Sequence, residues 1–208
     1  MKTKQRQIRS DKKIDVRPTI PVQFKHIIGR LSYIVTVPEK DIIEFIINSA
    51  IRSETIIDGL SKYFVYDYMC GTTLHLGSYE NPSIKEELNL LYERAEKVRA
   101  TTRLKQFDYD KLFQLANSLN CTRSCAAWVL TERGIKDHAV IQSLLRTFLE
   151  NELDPQRMKQ LEEMIHFINK NKEKGEEDFT LIEMLSYIRS QVKNGTGSII
   201  SHLKKLLD

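Results

Sequence analysis

Apolar and polar residues alternate over Ile14, Asp15, Val16, Arg17, Pro18, Thr19 and Ile20, the period of an extended strand with one face buried. Pro21 then opens a different spacing. Phe24, Ile27, Ile28, Leu31, Ile34 and Val35 fall on one face of a helix of about four turns. Pro38 interrupts that face, and EKDIIEFIINSAI predicts a second helix, apolar almost all round and so buried on more than one side. The predicted order is strand, helix, short turn, helix.

The same order recurs as VRATTRL, then YDKLFQLANSLN, then the turn Cys121-Thr122, then RSCAAWVLTERGI. A shift of 84 residues superimposes the two patterns, setting Ile20 on Leu104, Ile28 on Leu112, Leu31 on Leu115 and Val35 on Leu119. Helix-two positions follow, with Ile42 on Ala126, Ile46 on Leu130 and Ile51 on Ile135. The match is one of pattern more than identity, and Phe24 on Asp108 and Ile27 on Lys111 break it.

Between the repeats, residues 53–97 are expected to form a helical connector. Its aromatic residues Tyr63, Phe64, Tyr66 and Tyr68 read as a continuation of helix two that packs, with stacking on bases as the alternative. Residues 136–208 read as a helical C-terminal domain. Asp154 is its clearest N-cap, with Pro155 at the first helical position, and Thr180 with Glu183 has capping-box spacing for a later helix.

With 8 Gly and 5 Pro in 208 residues, the composition favours a mainly helical globular chain over a turn-rich sandwich. A net charge of +4 conceals segregation: residues 1–30 carry +7 and residues 99–135 carry +3, leaving −6 for the rest. Charge gathered in two stretches suits a polyanion. Residues 1–13 read as a basic flexible arm. No apolar run reaches the ~20 residues of a membrane span, and three cysteines without a signal peptide argue for the cytoplasm.

The repeated unit resembles the ribbon-helix-helix family, which includes the Arc and MetJ repressors. LANSLNCTRSCAAWVL carries the closer likeness, with Leu-Ala on helix one, a small turn and a Thr-Arg-Ser start to helix two; RLSYIVTVPEKDIIEFII keeps the spacing but has Pro38 at the cap. The resemblance covers about 37 residues in each repeat. It implies two strands paired into an antiparallel ribbon that enters a DNA major groove, above a core of interlocked helices. Two units in one chain are similar to the TraY type of conjugation accessory protein. The implied role is sequence-specific binding of double-stranded DNA, as a transcriptional regulator or an accessory factor in transfer or partition of a plasmid or phage. Pairing of the units within one chain or between chains is open at this level.

Strand alternation then nominates base contacts. Arg99, Thr101 and Arg103 share one face of the second strand, and Asp15, Arg17 and Thr19 the equivalent face of the first. Arg can donate two bonds to guanine, Thr can meet a thymine methyl, and Asp can accept from cytosine. An ordinary solvated strand face is the alternative for all six, and for Arg99 the end of a helix starting near Ser83. Thr122, Arg123 and Ser124 at the start of helix two, with Lys40 in the first repeat, are candidates for DNA phosphate contacts; plain capping is the alternative for Thr122.

Cys121 and Cys125 lack further ligands at zinc-site spacing, and the five histidines are scattered. No nucleotide-binding or nucleophile motif appears, so neither a cofactor nor a metal nor enzymatic activity is expected. The competing reading is a helical adaptor or assembly protein that holds nucleic acid non-specifically through its basic arm. In either case the C-terminal helices offer a surface for homo-oligomerisation or for a partner.

Overall fold

A computed structural model describes residues 13–149 and 153–170. Of the arm expected over residues 1–13, Lys13 instead opens the first strand, and the rest, like the helices expected at 181–193 and 198–208, lies outside these residues. The elements follow in the order β1 (Lys13–Val16), β2 (Thr19–Pro21), α1 (Val22–Val35), α2 (Glu39–Ala50), α3 (Glu54–Ser61), β3 (Tyr68–Cys70) and β4 (Thr73–His75). Then come α4 (Ile84–Leu91), β5 (Lys97–Arg99), β6 (Thr102–Lys105), α5 (Gln106–Ser118), α6 (Arg123–Lys136), α7 (His138–Phe148) and α8 (Pro155–Lys170). Helix dominates, and the described strands form short antiparallel pairs.

β1 pairs with β6 and β2 with β5 in a single register. Lys13 faces Lys105, Asp15 faces Arg103 and Val16 faces Thr102; beyond the middle, Thr19 faces Arg99 and Pro21 faces Lys97. The two ladders are thus one ribbon, interrupted where Pro18 has no N–H to donate. Its carbonyl still accepts from the Ala100 N–H at 2.9 Å. The register brings Arg17 opposite Thr101, so residues 84 apart meet at the centre and the ribbon has approximate two-fold character. The pairing is within one chain.

The helices keep the same shift. α1 and α5 begin at Val22 and Gln106, and α2 and α6 begin at Glu39 and Arg123. After the first helix of each repeat comes a non-glycine residue of positive φ, Thr36 at 56° and Asn120 at 48°. The next N–H turns back into the helix, Val37 to the Ser32 carbonyl at 3.2 Å and Cys121 to the Ala116 carbonyl at 2.9 Å. This left-handed closure gives donors to carbonyls that the helix end would otherwise orphan.

One core holds all of these elements. The ribbon contributes Val16, Ile20, Ala100 and Leu104 from its inner face, above α2 and α6. α2 and α6 approach so closely that a Cβ on Gly134 would sit 2.6 Å from Ile46 Cγ2. The two positions that broke the repeat have separate solutions. Phe24 lies edge-on to Tyr92, Trp128 and Phe167, at centroid distances of 5.6, 4.9 and 5.7 Å. Its counterpart Asp108 is also buried, and its carboxylate takes a hydrogen bond from Arg52 at the end of α2.

The expected helical connector is corrected. α2 stops at Ala50 instead of running through the aromatic residues, and α3 is a separate helix capped by Ser53. Tyr63, Phe64 and Tyr68 are buried, but around the hairpin β3–β4, which turns on Gly71 at φ 59°. Amphipathic spacing does not reveal a strand three residues long. Ser118 ties this hairpin to α5: its carbonyl accepts from Val65 N–H at 2.7 Å, and its hydroxyl donates to the Asp67 carbonyl at 3.1 Å.

In the C-terminal region Asp154 caps α8, accepting from the N–H groups of Gln156 and Arg157 at 2.9 Å each. α7 lies on α2 and α6, and α8 on α1. Their apolar faces are continuous with the core of the two repeats, so this described part is not a separate body. Among the described residues no helix is long and apolar enough to cross a membrane.

Candidate nucleic-acid interface

Strand geometry sorts the ribbon's side chains by parity. Val16, Pro18, Ile20, Ala100, Thr102 and Leu104 are buried, whereas Asp15, Arg17, Thr19, Arg99, Thr101 and Arg103 are exposed together on the opposite side. The six nominated residues therefore share one solvent-facing surface. Arg99 belongs to β5, since α4 already ends at Leu91. The same parity adds Lys13, Lys97 and Lys105 at the ribbon ends. Sequence reasoning passed over these three because it bounded the strands one residue short; following the alternation outward would have found them.

Six cations and one carboxylate thus occupy the outer face. Arg103 donates from Nε to Asp15 Oδ1 at 2.8 Å, and Arg17 lies 3.7 Å from the other oxygen of that carboxylate. Lys13 is held by Glu44 of α2 at 2.6 Å. Neither Arg99 nor Lys97 is in an ion pair among the described residues, so the β2–β5 end keeps its charge uncompensated.

Behind the ribbon ends stand the starts of α2 and α6. Thr102 donates its hydroxyl to the Lys40 carbonyl at 2.7 Å, fixing the start of α2 against β6. Lys40 itself is exposed. Thr122 caps α6, its hydroxyl accepting from the Cys125 N–H at 3.2 Å, and Thr122, Arg123 and Ser124 are all exposed. The Arg123 guanidinium bonds the Tyr109 hydroxyl and lies over the rings of Tyr109 and Phe113, at 5.3 and 5.4 Å. Stacking holds this cation near the helix start without neutralising it.

Beside α6 opens a cleft of about 680 Å³ between the ribbon end, α4 and the α5–α6 turn. Thr19, Lys97, Lys85, Thr122, Ser124 and Cys125 are on its wall. The Cys121 thiol donates to the Thr122 carbonyl at 3.6 Å there, and the neighbouring reduced thiols of Cys121 and Cys125 differ in acidity. Hydrogen bonding of the Cys121 thiol to a Cys125 thiolate, helped by the charge of Lys85, holds Cys125 below the ordinary thiol range against the opposing effect of burial. Cys121 is pushed upward by the same bond and by burial.

Comparison with protein-family models, curated proteins and solved structures finds no match. The functional reading therefore rests on this geometry.

Proposed function

We propose that this chain is a sequence-specific double-stranded DNA-binding protein of the tandem ribbon-helix-helix type, whose two unlike strands form a single ribbon that reads a major groove. One observation carries the reading. A single antiparallel register joins the two repeats within the chain, and it turns Asp15, Arg17, Thr19, Arg99, Thr101 and Arg103 outward on one face.

A two-stranded ribbon matches a groove about 12 Å wide, and guanidinium, hydroxyl and carboxylate groups match the donor and acceptor edges found there. Because the strands differ, the subsite read is asymmetric. Thr122, Arg123 and Ser124 stand at the start of α6, where free N–H groups and the helix dipole favour phosphate, and Lys40 adds a cation at the start of α2, whose first turn also carries Glu39 and Asp41. The biological setting within this proposal is transcription, transfer or partition of a plasmid or phage, with further assembly through the C-terminal helices.

The deciding experiment is an anisotropy titration of the full chain on random duplexes and on duplexes enriched from a random pool. Several orders of magnitude of preference support the proposal, and near-equal affinity favours the adaptor reading. Arg103→Ala is expected to lower the preference by about 1–3 kcal/mol.

A further inference from the structure

The approximate two-fold character of the ribbon gives the α6 cleft a counterpart. At the β1–β6 end a second cleft, of about 480 Å³, opens beside α2. Under the 84-residue shift its Lys13, Asp41 and Glu44 stand where Lys97, Cys125 and Trp128 stand in the first. The two places are equivalent in the fold and unequal in charge: two lysines without a carboxylate line the first, and Lys13 and Arg52 are balanced by Asp41 and Glu44 in the second.

No carboxylate lines the α6 cleft, and neither of its lysines, Lys85 and Lys97, is in an ion pair among the described residues. In the α2 cleft both lining cations are already taken, whereas Lys40 and Lys105 lie outside its lining. Lys13 is held by Glu44 at 2.6 Å, Arg52 by Asp108, and Lys25 by Glu39 in the first turn of α2. Asp41 adds a further negative charge to that turn. A phosphate approaching there meets two first-turn carboxylates that already occupy the positive end of the helix dipole. In the first turn of α6 there is no acidic residue.

We propose that the DNA backbone is clamped on one flank only: phosphates enter the cleft between α6, α4 and the β2–β5 end, neutralised by Lys85 and Lys97, while the equivalent cleft beside α2 takes none. This rests on the DNA-binding reading above and adds Lys85, a connector residue outside both repeats, to the contact surface. It also assigns Lys40 no phosphate. The predicted footprint is lopsided about the ribbon, a polarity that an exactly two-fold ribbon would lack.

The test uses the full chain and a duplex enriched from a random pool, titrated across salt concentration and mapped by phosphate-ethylation interference. Each phosphate neutralised contributes roughly 0.9 to the slope of log affinity against log salt. Lys85→Ala is expected to reduce that slope by about one and the double variant with Lys97→Ala by about two, with Lys40→Ala leaving it unchanged. Interference should cluster on one flank. Lys85 and Lys97 are exposed, so the variants retain the fold, as circular dichroism will verify. Specific binding with equal interference on both flanks, or an equal loss of slope for Lys40→Ala, overturns the one-sided clamp alone. Failure to bind any duplex overturns the DNA-binding reading with it.

Discussion

Arg103 and Asp15 meet across the ribbon, guanidinium Nε to carboxylate Oδ1 at 2.8 Å, on the face that points away from the core. Asp15 is the single acidic residue on that face, and it lies within ion-pair reach of two arginines of the nominated base-reading set, Arg103 and Arg17. The Arg103 and Asp15 side chains are well exposed, 61% and 43%, so their pairing contributes little to folding. Asp15→Asn is therefore expected to shift the urea midpoint hardly at all while strengthening binding to random duplexes at low salt. Parallel unfolding and anisotropy curves check both halves.

Gly134 marks the closest approach of the two central helices. Alanine is the better helix former by about 1 kcal/mol, which on its own predicts stabilisation. The added Cβ would meet Ile46 Cγ2 at 2.6 Å, and Ile46 is fully buried. Overpacking of this kind costs about 1–3 kcal/mol, so the clash should win and Gly134→Ala should lower the urea midpoint. An exposed helical position such as Gly59, where a Cβ meets nothing within 4 Å, should respond in the opposite sense.

Thr36 and Asn120 hold the same left-handed conformation in the two repeats, but they bear it unequally. A β-branched residue at φ 56° is strained, whereas asparagine tolerates φ 48°. Thr36→Asn is expected to stabilise the chain by roughly 0.5–1 kcal/mol, and the reciprocal Asn120→Thr to destabilise it by a similar amount. Differential scanning calorimetry of the two variants tests the equivalence of the closures directly.

Cys125 should be the first thiol to react. Its acidity is enhanced by the Cys121 hydrogen bond and the Lys85 charge, whereas burial raises Cys70 and burial with the shared hydrogen bond raises Cys121. A larger thiolate fraction near pH 8 means faster alkylation. Brief treatment with iodoacetamide followed by peptide mass spectrometry is expected to find Cys125 modified ahead of the other two. Lys85→Ala should slow that reaction.

The ribbon's outer face was legible in the sequence because alternation is local: Arg99, Thr101 and Arg103 declare their common side by spacing alone. Helix starts were legible for a similar reason, since Thr122 and Asp154 accept from the N–H groups next to them and Pro38 fixes its own backbone angle ahead of α2. The hairpin β3–β4 was not legible, because its three-residue strands pair only with each other and are anchored to α5 through Ser118, not marked by their own periodicity. Lys85 was equally invisible as a neighbour of Thr122, for nothing in either segment encodes their meeting.

By itself, then, the sequence determined a mainly helical chain, an 84-residue recurrence and the parity of each strand, all consequences of backbone geometry acting over a few residues. Only the tertiary structure decided that β1 and β2 pair with β6 and β5 of the same chain, that Phe24 and Asp108 are buried by different means, and that the cleft beside α6 is cationic while the one beside α2 is neutralised. Those are choices among distant partners. Hydrophobic periodicity says which face must be covered, and the specific shape and charge of what arrives there determine the outcome.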